Sequence, residues 1–182
     1  MSAEKATSAA AEIRLSFLPA EEAILLSNQD YFFHVLDRIG RARESIRAAV
    51  FIVDVCPSRG GEVAKRLLDA LGRACWLGLD VRVIVGRSRE NRTIDLMDRL
   101  SFRYLRELEL PVRVANPPRR SSLHSKYVLF DEDEAVLGSH NWAHFDLFGS
   151  RQTSVAVRSV HLARQLGSRF DELWASSDEE YR

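Results

Sequence analysis

The chain has 182 residues, of which 46% are hydrophobic, a length that predicts one well-buried domain rather than two marginal ones. Its 26 basic and 26 acidic side chains give a formal net charge of zero, so no global field attracts nucleic acid and any such attraction has to be local. No apolar run approaches the roughly 20 residues of a membrane-spanning helix. The two cysteines, Cys56 and Cys75, lack metal or redox spacing, which fits buried thiols in a reducing, cytoplasmic compartment.

Hydrophobic periodicity divides the first two-thirds of the chain into alternating helices and strands. Residues 1–12, rich in Ala and Ser, lack the apolar core of a signal peptide and predict a disordered tail before a single domain over residues 13–175. Within that domain the pattern predicts, in chain order, a helix over residues 31–43, a strand over 45–55, a helix over 62–77 that Gly78 ends, a strand over 81–85, a helix to about residue 107 with Asn91 or Thr93 as its cap, and a strand over 111–115.

The last third of the chain predicts strands that are close together in sequence, followed by one helix. Residues 123–130 and 135–137 form a predicted hairpin around an acidic turn over residues 131–134. A strand over 152–157 and a helix over 160–174 follow, and residues 176–182 form a predicted polar tail. Together with the earlier alternation, this order predicts an α/β fold, a layered α/β/α sandwich with a mixed β-sheet.

The hairpin carries the most informative stretch of the chain, LHSKYVLFDEDEAVLGSHNW, residues 123–142. Because side chains alternate along a strand, His124 and Lys126 should face the same side. Pairing across the turn should place His124 near His140 and Lys126 near Gly138. A glycine at that position would leave room for a substrate group to approach the backbone.

Ser139 and Asn141 offer a hydroxyl and an amide at the same end of the hairpin. Imidazole is a competent nucleophile, acid or base near neutral pH, and ammonium, hydroxyl and amide groups suit the non-bridging oxygens of a phosphate. The set predicts a phosphodiester-cleaving site, and nothing in it requires a metal or another cofactor.

Six positions of this stretch resemble, in spacing as well as residue type, the signature of the phospholipase D superfamily: His124-x-Lys126-x4-Asp131-x6-Gly138-Ser139-x-Asn141. The resemblance implies the layered fold of that superfamily over roughly residues 15–173. In its length and its single motif copy, the chain is most similar to the short bacterial and mitochondrial nucleases of the superfamily, which dimerise.

The resemblance also implies a role for each motif residue. The family's histidine attacks phosphorus to give a phosphohistidine, and the histidine of a second motif protonates the leaving oxygen. Carried over, His124 is the nucleophile or the acid, while Lys126, Ser139 and Asn141 hold the phosphate. Asp131 matches the motif, but its position in a turn favours a structural role.

One position departs from the family pattern. Many members have a glutamate about ten residues after the asparagine that orients the histidine, and the aligned residue here is Gln152. A glutamine accepts a hydrogen bond from imidazole but cannot stabilise imidazolium by charge, which predicts lowered or absent activity.

The same residues also suggest two other kinds of site, a zinc site and a hydrolase triad. His140 and His144, with Asp146, suggest zinc, but the His-Glu-x-x-His pattern is not met, which disfavours metal binding. A hydrolase triad of Ser139, His124 and Asp131 lacks the Gly-x-Ser-x-Gly sequence of a nucleophile elbow.

Arginines follow or precede the predicted strands and are predicted to line a path for a phosphate backbone. They are Arg87, Arg89, Arg92, Arg113, Arg119 and Arg120. Three aromatic residues after the motif fit core packing better than base stacking: Trp142, Phe145 and Phe148.

The family reaction needs a neutral and a protonated imidazole, so the single motif predicts a two-fold homodimer with a shared active site. The sequence therefore predicts a metal-independent nuclease acting on DNA or RNA. Two alternatives stay open: a phospholipase or phosphatidyl transferase acting on phospholipid, and a catalytically silent phosphate-binding dimer.

Overall fold

The computed structural model describes residues 16–88, 90–116 and 122–181. The tail predicted over residues 1–12 lies outside this part of the chain. Three of the arginines predicted to line a phosphate path, Arg89, Arg119 and Arg120, also lie outside it.

Seven strands and four α-helices make up the described part of the chain. The strands are β1 (Glu22–Ser27), β2 (Ser45–Val50), β3 (Asp80–Val85), β4 (Val112–Val114), β5 (Lys126–Phe130), β6 (Glu134–Gly138) and β7 (Thr153–Arg158). The helices are α1 (Asp30–Arg41), α2 (Glu62–Trp76), α3 (Arg92–Glu107) and α4 (Val160–Ser176). A short 3₁₀ turn, Pro57–Arg59, precedes α2, and a single π-helical turn, Phe145–Gly149, precedes β7.

All strands join one sheet in the order β1-β7-β6-β5-β2-β3-β4. Strands β2, β3 and β4 run parallel, whereas every other neighbouring pair is antiparallel. In the hairpin, Tyr127 pairs with Leu137 and Phe130 with Glu134. This is the predicted register, since one further step sets Lys126 against Gly138. The predicted mixed sheet is confirmed.

Helices cover both faces of the sheet. Buried side chains of α1, α2 and α3 pack with Val128 and Phe130 in one core cluster. On the opposite face, α4 packs Phe170 against a smaller cluster that contains Tyr127 and Leu129. The alternation of β5 between these clusters is the two-residue period of a strand buried on both sides. The α/β/α sandwich is therefore confirmed.

The C-terminal segment differs from the predicted polar tail. Helix α4 extends to Ser176, and the backbone of Asp178 then forms an antiparallel bridge with Val114 at the edge of the sheet, through two hydrogen bonds of 2.8 Å. Tyr181 packs behind this bridge, and its hydroxyl donates to Asp95 Oδ1 at 2.8 Å. The polar composition of the segment did not indicate this role, because the segment is held by backbone hydrogen bonds, by ion pairs of Arg87 with Asp178 and of Arg113 with Glu179, and by one aromatic ring.

None of the helices in the described residues is long and apolar enough to cross a membrane. Cys56 and Cys75 are free thiols, each partly exposed rather than buried as predicted.

Candidate active site

The hairpin brings His124 and Lys126 together at the start of β5. Lys126 is 8% exposed, and its ammonium donates to the His124 carbonyl oxygen at 2.8 Å. The same Nζ atom lies 3.4 Å from His124 Nδ1. His124 itself is exposed to solvent just before the strand begins. The result is a solvent-facing imidazole beside a buried cation.

Phe51 forms the wall behind this pair. Its ring centroid lies 4.9 Å from that of His124 and 5.2 Å from Lys126 Nζ, a distance at which an ammonium is attracted to the face of the ring. Burial lowers the pKa of Lys126, because a desolvated ammonium is disfavoured. Phe51 was not predicted as a site residue, although it directly follows the buried strand β2, and ligands bind beyond the carboxyl ends of strands in α/β sheets.

Backbone pairing beyond β6 positions Asn141. The Trp142 amide donates to the Ile52 carbonyl at 2.9 Å, and the Trp142 carbonyl accepts from the Asp54 amide at 2.9 Å. Asn141 is thereby only 8% exposed, and its Oδ1 accepts from the Ile52 amide at 3.2 Å. This bond turns the amide nitrogen, a donor, away from the backbone.

Asp146, which sequence analysis placed only in the zinc hypothesis, lies on the π-helical turn next to these groups. Burial raises the pKa of Asp146, while a hydrogen bond from Asn141 and the charge of Lys126 lower it. Among the described residues, Gln152 forms no hydrogen bond with His124. Its amide nitrogen donates instead to Asp146 Oδ1 at 2.9 Å and to Ser150 Oγ at 3.0 Å.

Two of the motif residues face β7 rather than open space. The Ser139 hydroxyl donates to the Thr153 carbonyl at 3.1 Å and accepts from the Thr153 amide at 3.0 Å, so its O–H is not free to bind a phosphate. A Cβ at Gly138 would overlap Ser154, so the missing side chain accommodates β7 and not a substrate. Both interpretations from sequence are corrected here.

Asp131 lies at the opposite end of β5 from the pair. It has a φ of 51° in the hairpin turn, and its carboxylate accepts hydrogen bonds of 2.8–3.1 Å from the backbone amides of Arg43, Glu44 and Ser45. Asp131 therefore lies away from His124 and Lys126. Its inclusion among the catalytic residues is corrected, in favour of the structural role that its turn position indicated.

The zinc hypothesis also fails on geometry. His140 is fully buried and stacks on Tyr31 at 4.4 Å between ring centroids. Its Nδ1 is 2.7 Å from Ser154 Oγ and its Nε2 is 2.9 Å from the Asn28 carbonyl, so both ring nitrogens are occupied. Across residues 16–88, 90–116 and 122–181, no group of three or more His, Cys, Asp or Glu side chains is arranged to hold a metal ion.

The arginine path is only partly as predicted. Arg87 is buried, lies 3.3 Å from Asp178 and has its guanidinium 5.0 Å from the centre of the Tyr181 ring. Arg113 donates to the Trp174 carbonyl at 2.7 Å. These two side chains hold the C-terminal segment instead of lining the site.

The aromatic residues after the motif divide between core and surface. Trp142 is fully buried, as predicted. Phe145 and Phe148 are 67% and 39% exposed, which corrects the expectation that they pack in the core.

Chemically, the site combines an accessible imidazole, a buried ammonium and a fixed amide donor. An ammonium and an amide N–H directed at one place stabilise an anion, and an imidazole beside them can attack its central atom or transfer a proton. This arrangement suits a phosphate ester.

Comparison with known proteins agrees with this chemistry. Residues 35–174 match the model of the family described as cardiolipin synthase, PLD-like domain. A comparison with curated proteins found no significant match.

Solved structures show the same fold in proteins of similar and of larger size. Nuc, a phospholipase D family member from Salmonella typhimurium, superposes with a TM-score of 0.68 at 20% identity, over 86% of this chain and 97% of that one. NucT from Helicobacter pylori superposes with a TM-score of 0.66 at 15% identity, over 86% and 98%. Phosphatidylserine synthase from Haemophilus influenzae gives a TM-score of 0.66 at 12% identity, over 87% of this chain but 40% of that one.

The family match covers most of the chain, including the hairpin and the π-helical turn, and the fold of these neighbours is the one described above. The chain belongs to the PLD-like domain family of cardiolipin synthase, within the phospholipase D superfamily, and has its phosphodiesterase fold.

Proposed function

We propose that this protein is a metal-independent phosphodiesterase that cleaves nucleic acid through a phosphohistidine, as a homodimer with a shared site. The observation that carries the proposal is the buried Lys126 ammonium, 3.4 Å from Nδ1 of the exposed His124. The cost of desolvating this ammonium outweighs the favourable charge of Asp146, and a phosphate beside the imidazole would compensate the remainder.

The reaction proceeds in two displacements. In the tautomer that carries its proton on Nδ1, Nε2 of His124 has the free lone pair and is the atom that attacks. Its lone pair forms a P–N bond, and the P–O bond to the leaving group breaks as that oxygen takes a proton from the His124 imidazolium of a second copy. Water then attacks phosphorus, the second imidazole takes a proton from the water, and the P–N electrons return to His124.

The non-bridging oxygens gain negative charge at each step. Lys126 supplies a compensating charge, and the amide of Asn141 supplies a donor in fixed orientation. Hydrolysis uses one phosphodiester and one water, and it yields a monoester and an alcohol with both imidazoles restored.

Overall size favours a nucleic acid as substrate. Superposition covers 97% of Nuc and 98% of NucT, but only 40% of the phosphatidylserine synthase. The domain thus matches nearly the whole of Nuc and NucT but only part of the synthase, which supports a nuclease. A homodimer is part of the proposal because the one motif in this sequence supplies one reactive imidazole.

The test is an assay of the full chain with labelled single-stranded DNA, duplex DNA, RNA and phosphatidylcholine liposomes, each with EDTA. We expect cleavage of a nucleic acid that EDTA does not reduce, with a bell-shaped pH profile because one imidazole has to be neutral and the other protonated. His124→Ala should lose at least about a thousandfold in rate. His161→Ala is the matched control, since His161 is exposed on α4, and it should retain full activity.

Sedimentation of the active protein should give the mass of a dimer. Cleavage of the liposomes alone would show that the substrate is a phospholipid and not a nucleic acid. Activity that EDTA abolishes and His124→Ala spares would overturn the mechanism, and a fully active monomer would overturn the shared site.

A further inference from the structure

A carboxylate stands in the site at a position that the motif does not include. The aligned glutamate of the family is Gln152 here, so its charge is missing at that position. Asp146, six residues earlier, accepts a hydrogen bond from the Gln152 amide at 2.9 Å. The negative charge absent from one residue is therefore present on its hydrogen-bonded neighbour.

Asp146 interacts with two groups that the proposed reaction uses. Its carboxylate accepts a hydrogen bond from the Asn141 side chain and lies close enough to Lys126 for their charges to interact. Because Asn141 Oδ1 is held by the Ile52 amide, the NH₂ group has one N–H for Asp146 and a second for a phosphate.

The position of Asp146 depends on the π-helical turn, Phe145–Gly149, that follows the motif. Single π turns are rare in proteins and are frequent at functional sites. Gln152 and Ser150 close the other side of the turn through the hydrogen bonds of the Gln152 amide. The turn thus directs a half-buried carboxylate towards the hairpin.

We propose that Asp146 is the positioning carboxylate of this site, where it orients Asn141, balances the ammonium of Lys126 and takes over the charge that Gln152 lacks. This proposal rests on the proposed function for its catalytic consequence. Its electrostatic part stands by itself, since the charge on Lys126 can be measured without turnover.

The test compares Asp146→Asn with the double variant Asp146→Asn/Gln152→Glu, which moves the carboxylate to the other member of the same hydrogen-bonded pair. Asp37→Asn is the matched control, because it removes the same charge from an exposed position on α1. Thermal unfolding of each variant establishes that it is folded.

The first readout is the titration of Lys126 by ¹³C NMR with labelled lysine. The chain contains three lysines, Lys5, Lys65 and Lys126, so the spectrum has few signals and Lys126→Met assigns one. The titratable groups that face this ammonium are His124 on its own hairpin and Asp146 on the π-helical turn. Loss of the Asp146 charge disfavours the ammonium, so we expect the pKa of Lys126 to fall in Asp146→Asn and to recover in the double variant.

The second readout is activity. Asp146→Asn should lower kcat about 10- to 100-fold, because the donor and the cation are misplaced. The double variant should regain most of the rate together with the original titration of Lys126, which a merely structural role of Asp146 would not produce. Gln152→Glu alone should not raise activity, since it sets two carboxylates against each other.

The outcomes separate the two proposals. An unchanged titration of Lys126 and an unchanged rate in Asp146→Asn, with activity still dependent on His124, would overturn the role of Asp146 and leave the proposed function intact. A higher rate for Gln152→Glu alone would also overturn it, because the site would then lack a carboxylate. A wild type without turnover, but with the expected shifts at Lys126, would overturn the proposed function alone.

Discussion

The carboxylate of Asp131 binds three consecutive backbone amides at the start of β2, although it belongs to the same motif as His124. Asp131 and Glu132 both have positive φ, and the Asp133 amide donates to the Phe130 carbonyl at 3.2 Å, as in the tight turns that match the twist of a hairpin. Aspartate tolerates the left-handed conformation better than most residues. The residue therefore closes the hairpin and joins it to β2.

We expect Asp131→Ala to lower the free energy of unfolding by about 2–4 kcal/mol, because hydrogen bonds to a charged acceptor are lost and backbone amides are left without it. Activity per folded molecule should change little, since the carboxylate is at the far end of β5. Urea unfolding and an assay of the folded fraction measure the two effects. Glu132→Ala, in the same turn, is the control and should be nearly neutral. A catalytic defect without loss of stability would contradict this assignment.

Sequence spacing placed His124, Lys126 and Asn141 close together because all three lie at the open end of one hairpin, at or just beyond the ends of its two strands. It misassigned Gly138 and Ser139 because their partners, Ser154 and Thr153, belong to a strand that follows much later. Phe51 and Asp146 were not recognised as parts of the site for a similar reason. Their contacts depend on how β2 and the π-helical turn fold back on the hairpin, which alternation within a strand does not reveal.

At the scale of elements, local signals predicted most helices and strands to within a few residues. Asn91 caps α3, with Oδ1 accepting from the amides of Thr93 and Ile94 at 3.0 and 3.2 Å, and Gly78 follows α2 with a φ of 96°. Strand β1 was missed because it is an edge strand whose Ile24 and Leu25 are exposed, so it lacks the alternation of a half-buried strand. Its pairing with β7 is a long-range contact.

The C-terminal segment should be required for stability. Deletion of residues 177–182 would uncover the Val114 edge of β4 and remove the ring of Tyr181, which lies between Arg87 and Arg99 at 5.0 and 4.8 Å. We expect a loss of about 2–4 kcal/mol in the free energy of unfolding from the lost ring burial and hydrogen bonds. Thermal unfolding measures it, and Tyr181→Phe, which keeps the ring, should lose only part. Unchanged stability after the deletion would show that the segment is a tail after all.

At the scale of the whole molecule, layered architecture followed from the order of elements, and the resemblance to the phospholipase D superfamily was confirmed. The alternation of strand and helix followed by a hairpin requires a sheet covered on both faces. The homodimer and the nucleic acid substrate stay predictions. Both depend on surfaces outside a single chain's core, which hydrophobic periodicity does not describe.

Global stability should depend on pH through Asp98. This carboxyl is fully buried, its Oδ1 accepts from the Val53 amide at 3.3 Å, and its Oδ2 has no hydrogen-bond partner among the described residues. Burial raises the pKa of Asp98 from 3.8 to about 8. The folded protein thus holds a proton that the unfolded chain releases between those values, so this group's contribution to stability is complete at pH 4 and is lost as the pH rises to about 8.

Asp98→Asn should remove that dependence, because asparagine keeps the shape and the accepting oxygen without an ionisable proton. We expect the variant to match the wild type near pH 4 and to exceed it at pH 8 by several kcal/mol, at roughly 1.4 kcal/mol for each unit of pKa difference. Urea unfolding across this range is the measurement. Asp37→Asn, at the surface, should leave the pH dependence of the unfolding free energy unchanged. If Asp98→Asn showed the same pH dependence as the wild type, Asp98 would not hold a buried proton.

The hairpin has a further consequence, because its reactive end and its anchoring end are separated by one strand of fixed length. The five residues of β5, Lys126–Phe130, separate the solvent-exposed imidazole of His124 from the carboxylate of Asp131, which binds backbone amides at the start of β2. The spacing of the motif therefore fixes the distance between the reactive end and the anchoring end of the hairpin, in addition to supplying the functional groups. Removing a single residue from that strand would rotate every later side chain to the opposite face of the sheet and detach the anchor from the chemistry, even with each motif residue still present.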